Sequence, residues 1–220
     1  MKLLRLAVFD LDGTLVELEY DYFGEETQRL FLELGAEPPE KSTISSLVRS
    51  HTLFHSIPER EREFFIAEFW SRFSNERRPG ARLIPHALET VQSLAHDGYE
   101  VAIATARAET ADMVYEYLEP TGLHHHLSVI STFENSNDWR RDKTPQLIEL
   151  CKRLKLSPRE ACMVGDHPTD ILSAQRAGFS LKIAVLSGES DESVLKQTDP
   201  DHITHSIREV PSIIDIFHDT

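Results

Sequence analysis

The sequence predicts an α/β protein whose mostly parallel sheet carries helices on both faces. Two observations predict this class. From about residue 81 onward, short apolar runs alternate with segments of helical periodicity, as expected for repeated strand–helix units. Before them, residues 3–9 form an apolar run that is broken only by Arg5. This run ends at Asp10, where a strand should stop because Asp and Gly are poor strand residues.

Residues 16–80 differ from the rest of the chain because nothing in them alternates convincingly like a strand. Helices are expected at 21–35, 41–55 and 58–73, from apolar residues at helical spacing. The third helix contains aromatic residues that predict the apolar core of this segment rather than a stacking surface: Phe64, Phe65, Phe69, Trp70 and Phe73. The segment therefore predicts a small helical insertion after the first strand.

After the insertion, the chain predicts strands and helices in turn. The expected strands are 99–104, 127–131, 161–164 and 181–185. The expected helices are 84–97, 109–118, 144–154, 168–177 and 206–217. Residues 186–200 are polar and predict a loop. At 220 residues, the whole chain fits one large domain or a domain with an insertion.

Composition excludes several classes of protein. The net charge of −14 disfavours nucleic-acid binding, whereas a small anionic substrate can still bind beside a local cation or metal. No apolar run approaches the roughly 18 residues of a membrane span. The apolar stretch at the N-terminus is too short for a signal peptide, so cytoplasm is the expected location. Cys151 and Cys162 do not make a disulfide framework, and Cys162 is expected as a reduced thiol in the core.

Polar residues stand just after four of the predicted strands or open the helix that follows. They are Asp10 with Asp12, Thr105, Lys143, and Gly165-Asp166 with Asp170. Because ligands of open α/β sheets bind at the carboxyl ends of the strands, we expect these residues to meet at one edge. Acids so close together are costly unless a cation balances them, and a divalent metal with oxygen ligands does so.

This set of residue types suits phosphoryl transfer, which needs a nucleophile, a proton donor and positive charge around the transferred group. Asp10 can attack phosphorus, and Asp12 can protonate the leaving oxygen and later activate water. Thr105 can donate a hydrogen bond to a phosphoryl oxygen, and Lys143 can neutralise both Asp10 and phosphate. Asp166 with Asp170 would complete an oxygen shell for Mg²⁺. Each residue alone has an ordinary structural explanation, so the prediction depends on their joint placement.

The residues named above belong to four stretches: Asp10-Leu11-Asp12-Gly13-Thr14, the strand ending in Thr105, Lys143, and Gly165-Asp166-His167-Pro168-Thr169-Asp170. These four stretches resemble the four motifs of the haloacid dehalogenase-like (HAD) hydrolase superfamily. The resemblance implies a Rossmann-like core (1–15 and 81–220), an inserted helical cap (16–80), Mg²⁺ dependence and an aspartyl-phosphate intermediate. It also implies a role for each matching residue. Asp10 would be nucleophile and metal ligand. Asp12 would be acid/base and lend its carbonyl to the metal. Thr105 and Lys143 would bind phosphate, and Asp166 and Asp170 would serve the metal.

Within this superfamily, an acid at the position of Asp12 is typical of the phosphatase and mutase branches and absent from the dehalogenase branch. The chain looks most similar to phosphoglycolate-phosphatase-like members. It departs from them at residues 16–19, where Val-Glu-Leu-Glu replaces a Val-Asp-Ser type of sequence, and at Ala106, where Asn is frequent. We expect Arg107 to take over part of the lost contact, so that Thr105, Ala106, Arg107 and Lys143 form the substrate and phosphate site. Arg49, Arg72 and Arg107 are candidates for contacting a second anionic group of the substrate.

The sequence therefore predicts a Mg²⁺-dependent phosphatase acting on a small phosphate monoester, such as a phosphoglycolate-like compound or a sugar phosphate. One alternative is a phosphomutase of the β-phosphoglucomutase type, which would use the same motifs. Another is a binding or regulatory protein that kept the fold and lost turnover. The presence of Asp10, Asp12, Lys143 and Asp166 together argues against that second alternative.

Overall fold

The computed structural model describes residues 3–18, 20–49, 52–73, 80–134, 142–188 and 190–218. Within these ranges the chain forms six strands, β1 Leu6–Phe9, β2 Glu100–Ala104, β3 Val129–Ser131, β4 Ala161–Gly165, β5 Leu181–Val185 and β6 His202–Thr204. It also forms nine α-helices, α1 Tyr20–Glu33, α2 Lys41–Arg49, α3 Glu59–Phe73, α4 Ala87–His96, α5 Ala111–Leu118, α6 Thr144–Leu154, α7 Pro168–Ala177, α8 Glu192–Lys196 and α9 Val210–His218.

The strands make one parallel sheet in the order β3-β2-β1-β4-β5-β6. This is the strand order of a Rossmann fold, and it confirms the predicted fold class. Strand β1 lies at the point where the order reverses, between β2 and β4, with Leu6 opposite both Glu100 and Ala161. Ligands of such sheets bind beyond the carboxyl ends of the strands at this point. The loop after β1 therefore begins where a site is expected.

Helices cover both faces because alternate strand residues point to opposite sides of the sheet. Ala7 and Phe9 of β1 belong to an apolar cluster with α4, α5 and α9. Leu6 and Val8 belong to a second cluster, on the other face, with α6 and α7. Every residue of β1 is thus buried, as expected for a central strand of a parallel sheet.

Helices α1–α3 occupy the predicted insertion and have an apolar cluster of their own. Its centre is the Phe31 ring, which stacks on Phe54 and meets Phe65 and Phe69 edge-on. Phe64, also predicted for this core, is instead 72% exposed, because it lies on the opposite side of α3 from this cluster. The side chains of Trp70 and Phe73 lie outside the described part of the structure.

The backbone that leaves the core toward α1 runs beside the backbone that returns to it. Val16 and Leu83 form an antiparallel β-bridge. On either side, Glu17 N–H donates to the Arg82 carbonyl at 2.8 Å, and Ile84 N–H donates to the Leu15 carbonyl at 3.0 Å. The two connections to the insertion are therefore held together, directly after the Asp-rich loop.

Several predicted elements differ from the structure; helix α9, for example, begins at Val210 rather than at 206. The segment 186–200 was expected as a loop, yet it contains α8 and leads into edge strand β6; both elements are short and polar, so their periodicity is weak. Helix α2 stops at Arg49 rather than continuing to 55, and the chain turns between Thr52 and Ile57. Helix α4 begins three residues later than predicted, because His86 adopts a left-handed conformation with φ 70°.

Two further expectations concern the whole chain. Cys162 is free and buried, as predicted for a reduced core thiol, and Cys151, for which no burial was predicted, is also free and buried. None of the helices in the described ranges has the length and apolar character needed to cross a membrane.

Candidate active site

A buried lysine joins two of the predicted acids beyond the ends of β1 and β4. Lys143 Nζ donates to Asp10 Oδ1 at 2.5 Å and to Asp170 Oδ1 at 2.6 Å, and its side chain is 3% exposed. Lys143 is the N-cap residue of α6, and its backbone N–H donates to Ser173 Oγ of α7 at 2.9 Å. The packing of α6 against α7 thus sets where the ammonium lies.

The sequence around Asp170 fixes its carboxylate at the start of α7. Asp170 is the third residue of this helix, and its Oδ2 accepts from His167 N–H at 3.0 Å in a capping box. The other oxygen, Oδ1, faces Lys143. Both oxygens of a fully buried carboxylate are therefore hydrogen-bonded, which offsets the cost of removing the charge from water.

Asp166, directly after β4, completes a group of three carboxylates. Asp10, Asp166 and Asp170 each offer an oxygen, and these oxygens lie within 4.8 Å of one another. Thr14 Oγ1 donates to Asp166 Oδ1 at 2.7 Å and orients it. When all three carboxyls are ionised, they and the Lys143 ammonium together carry a net charge of −2. This oxygen-rich donor set and its charge fit a hard divalent cation such as Mg²⁺.

Two glycines leave room for the Asp166 carboxylate. A Cβ at Gly13 would lie 2.5 Å from Asp166 Oδ2, and Gly13 also has a left-handed φ of 86°, which only glycine adopts readily. A Cβ at Gly188, in the loop after β5, would collide with the same oxygen. Ser187 ties this loop to the first one, because its Oγ donates to the Gly13 carbonyl at 2.8 Å. Loops after β1 and β5 therefore enclose Asp166 together.

The charges in this cluster shift one another's pKa. Burial raises the pKa of Asp10 to about 7, and repulsion by Asp170 adds to this, while Lys143 acts in the opposite direction. Burial alone would lower the pKa of Lys143, but attraction to Asp10 and Asp170 outweighs burial and raises it. Lys143 is therefore a permanent positive charge beside Asp10.

Asp12 points to a different partner. Its two oxygens accept from Arg107, with Nε to Oδ2 at 2.8 Å and Nη2 to Oδ1 at 2.6 Å. The Arg107 guanidinium carbon also lies 4.2 Å from the centre of the Tyr117 ring. Burial lowers the pKa of Arg107, but the pull of Asp12 is larger and the net shift is upward. Asp12 and Arg107 thus form a compact pair with no net charge.

Thr105 and Ala106 directly precede Arg107 in the sequence. Thr105 follows β2, and its N–H donates to the Ser131 carbonyl at 3.0 Å. Its hydroxyl oxygen accepts from Arg107 N–H at 3.2 Å, so the hydroxyl proton can be donated elsewhere. Ala106 is only partly buried and offers no polar side-chain atom.

The structure brings Asp10, Lys143, Asp166 and Asp170 into one cluster and pairs Asp12 with Arg107. Among the other candidate arginines, Arg72 faces Glu33 and Glu68 within the insertion. The Arg49 side chain lies outside the described part of the structure. Among the candidate arginines whose side chains are described, Arg107 lies in the site, where it contacts Asp12.

Sequence reasoning missed several residues of the site. Thr14 could have been found, because it belongs to the same short motif as the two acids and carries a hydroxyl next to Gly13. Ser173 and Gly188 give no local signal. Their places depend on how α7 and the loop after β5 pack on the other elements.

Comparison with known proteins defines the class to which this fold and site belong. Residues 7–210 match the family model of the haloacid dehalogenase-like hydrolases. The match covers most of the chain, and the chain belongs to this family.

Individual relatives align with this chain over nearly their whole length. Pyrophosphatase PpaX of Oceanobacillus iheyensis is 27% identical over 214 residues, which are 96% of this chain and 97% of the relative. Phosphoglycolate phosphatase of Shigella boydii is 23% identical, with 98% and 94% covered. A haloacid dehalogenase-like hydrolase from Streptococcus pneumoniae has the same fold, with a TM-score of 0.73 at 22% identity and coverage of 97% and 99%. Family and relatives together confirm the predicted enzyme class, a HAD-like phosphatase.

Proposed function

We propose that this chain is a Mg²⁺-dependent phosphatase that hydrolyses a small phosphate monoester through an aspartyl-phosphate on Asp10. The observation that carries the proposal is the cluster in which Lys143 bridges Asp10 and Asp170 beside Asp166, at the reversal point of the sheet. A small phosphorylated metabolite is the expected substrate. The cytoplasmic location expected from the sequence stays a prediction.

In the first step, an Asp10 carboxylate oxygen attacks phosphorus and the bond from phosphorus to the ester oxygen breaks. Asp12 gives its proton to the leaving oxygen. Lys143 and the Thr105 hydroxyl hold the phosphoryl oxygens. Asp10, Asp166 and Asp170 would hold Mg²⁺, which when bound supplies positive charge opposite the phosphoryl group. Ala106 leaves room beside these groups without adding a contact of its own.

In the second step, water attacks the phosphorus of the aspartyl-phosphate while Asp12 accepts the proton of that water. The bond between phosphorus and Asp10 then breaks, which releases phosphate and restores the carboxylate. The proton that Asp12 accepts from water thus replaces the one that it gave to the leaving oxygen. The exchange of roles needs one group that both donates and accepts a proton, and a carboxyl can do both.

In this proposal, residues 16–80 act as a cap on a core of residues 1–15 and 81–220, and closure of the cap excludes water from the site. Two observations support such a division. Helices α1–α3 pack around their own apolar cluster, and the two connections between them and the core lie side by side at Val16 and Leu83.

Activity toward p-nitrophenyl phosphate tests the proposal. Purified protein should release p-nitrophenol with Mg²⁺ and stop when EDTA removes it. Asp10→Asn, which keeps the size of the side chain but is a poor nucleophile, should lower kcat by at least about 10⁴-fold. Circular dichroism should show an unchanged fold. Wild-type turnover by Asp10→Asn would contradict the mechanism.

The substrate can then be found with a panel of phosphorylated compounds. Phosphoglycolate, sugar phosphates and pyrophosphate belong in it, because the relatives carry the names phosphoglycolate phosphatase and pyrophosphatase. Product analysis separates hydrolysis from a mutase reaction, since hydrolysis releases inorganic phosphate and a mutase returns an isomer of the sugar phosphate.

A further inference from the structure

Arg107 is a buried side chain held on several sides. Its guanidinium donates from Nε and Nη2 to the two oxygens of Asp12, and its guanidinium carbon lies over the Tyr117 ring, 4.2 Å from the ring centre. Its backbone is held as well, because its carbonyl accepts from Phe133 N–H at 2.7 Å and its N–H donates to Thr105 Oγ1. The Arg107 side chain is 3% exposed, whereas that of Asp12 is 25% exposed. The arginine is thus the inner, fixed member of the pair.

A fork of two parallel hydrogen bonds fixes both the position and the plane of a carboxylate. A single ammonium would fix only the distance, because it is a point charge that allows the carboxylate to rotate. The arrangement therefore does more than neutralise Asp12. It restricts the side-chain torsions of Asp12 and keeps its partly exposed oxygens in one orientation.

The same geometry argues against a direct contact between Arg107 and a second anionic group of the substrate. The Nε and Nη2 donors of Arg107 are already used by the two oxygens of Asp12, at 2.8 Å and 2.6 Å. An approaching anion would therefore have to compete with Asp12 for these donors. To bind that anion, Arg107 would have to break two charge-assisted hydrogen bonds.

We propose that Arg107 is a positioning residue, which holds the Asp12 carboxyl group in the orientation needed to pass a proton to the leaving oxygen. The inference rests on the proposed phosphatase function, since it assigns a role toward a group of that mechanism. It replaces the expected role of Arg107 as a substrate ligand.

Two esters of similar shape and equal charge separate these roles. Nitrophenolate leaves phosphorus readily without a proton, whereas phenolate needs one much more. The value of kcat/KM reports the step in which the ester oxygen leaves. Arg107→Met should lower kcat/KM for phenyl phosphate about 10- to 100-fold more than for p-nitrophenyl phosphate, because misplacing a catalytic group costs on this scale. The exposed Arg153→Met, in the last turn of α6, serves as the matched control and should leave both values unchanged.

Asp12→Asn gives the reference for losing proton transfer altogether. Like Arg107→Met, it should raise the ratio of kcat/KM for p-nitrophenyl phosphate to kcat/KM for phenyl phosphate. In the double variant, Arg107→Met should change this ratio by less than about 3-fold relative to Asp12→Asn alone. Residues that act as one unit are not additive. If Arg107→Met does not fold, Arg107→Lys replaces it, since this variant keeps the charge and removes the fork.

The outcomes are distinct. An equal loss for both esters, or a rise in KM alone, would overturn the inference and return Arg107 to substrate binding. Additive losses in the Asp12→Asn background would overturn it as well. A wild-type protein that hydrolyses neither ester with Mg²⁺ would contradict the proposed function itself. Active variants with unchanged selectivity would contradict only the role given to Arg107.

Discussion

Two acids that stand two residues apart in the sequence have opposite surroundings in the site. Asp10 shares Lys143 with a second carboxylate, and burial raises its pKa to about 7. Asp12 is paired with Arg107 and is partly exposed. The first arrangement leaves an excess of negative charge that a metal can balance, and the second leaves none. The difference in partners supports the different roles proposed for the two acids.

The loop after β5 offers a test at the level of one methyl group. Gly188→Ala would push a Cβ against the Asp166 carboxylate, without the positive φ that makes substitution at Gly13 strained in any case. We expect the Mg²⁺ concentration for half-maximal activity to rise about 10- to 100-fold, a range typical for loss of support around a metal ligand. Mg²⁺ titration of p-nitrophenyl phosphate hydrolysis measures this.

Gly80→Ala is the control for that measurement, because a Cβ at Gly80 meets nothing within 4 Å. If the effect of Gly188→Ala is local, the free energy of unfolding of both variants should lie within about 1 kcal/mol of that of wild type. An unchanged Mg²⁺ requirement in Gly188→Ala would mean that Asp166 does not serve the metal.

At this scale the sequence predicted which charged residues come together at the edge of the sheet, but not their neighbours. Asp10, Asp12, Lys143 and Asp166 could be named because carboxylates and an ammonium at strand ends have a recognisable chemical purpose. The pairing of Arg107 with Asp12 could not be foreseen, since 95 residues separate them and only the sheet brings them together.

At the scale of elements, the helices of the insertion show what apolar periodicity in the sequence can and cannot predict. All three were located from their apolar spacing, although α2 ends earlier than predicted. The aromatic residues of α3 could not be assigned individually to the core, because adjacent residues such as Phe64 and Phe65 point about 100° apart around a helix. Phe65 and Phe69 pack inward, whereas Phe64 faces solvent.

This contrast gives a matched pair of variants. Phe31→Ala would empty the centre of the cluster and should lower the free energy of unfolding by about 3–5 kcal/mol. Phe64→Ala removes the same side chain from an exposed position and should change it by less than about 0.5 kcal/mol. Urea denaturation followed by circular dichroism compares the two, and equal losses would show that Phe31 is not the centre of this core.

The elements that sequence analysis did not find are short and polar. Helix α8 lies in a segment expected as a loop, and strand β6, for which no strand was predicted, follows it at the edge of the sheet. An edge strand needs little apolar surface, so its sequence lacks the buried run that marks β1 or β4. Pairing with β5, rather than local preference, makes it a strand.

On the scale of the whole molecule, the sheet joins two apolar layers, and each layer contains one cysteine. Cys162 of β4 belongs to the cluster with α4 and α9, and Cys151 of α6 belongs to the opposite one. Burial raises the pKa of the Cys162 thiol to about 12 and that of Cys151 to about 11. Both thiols should resist thiol reagents at neutral pH until the protein unfolds, because the thiolate is the reactive form.

The raised thiol pKa values also predict that the folded state loses stability at alkaline pH. Exposed thiols lose their protons near pH 9, whereas these thiols in the folded state keep theirs. Their stabilising contribution is therefore complete below about pH 9 and is lost as the pH rises toward the raised values. The urea midpoint should fall between pH 9 and pH 11, as measured by circular dichroism.

Cys162→Ala checks the origin of that decline. The variant should be less stable at pH 7, because a buried side chain is shortened, yet its midpoint should fall less steeply above pH 9. A decline as steep as that of wild type would assign the effect to other groups, such as Tyr99, whose pKa burial also raises to about 12.

The bridge between Val16 and Leu83 has a consequence for how this chain can change during evolution. Residues joined by such a bridge are about 5 Å apart, so the ends of the inserted segment are already closed by the core. Lengthening a closed segment adds little entropy cost, about 0.6 kcal/mol for each doubling. Insertions, deletions and replacement of the segment by recombination can therefore diversify the substrates of such enzymes, while the loop holding Asp10 and Asp12 stays where the sheet puts it.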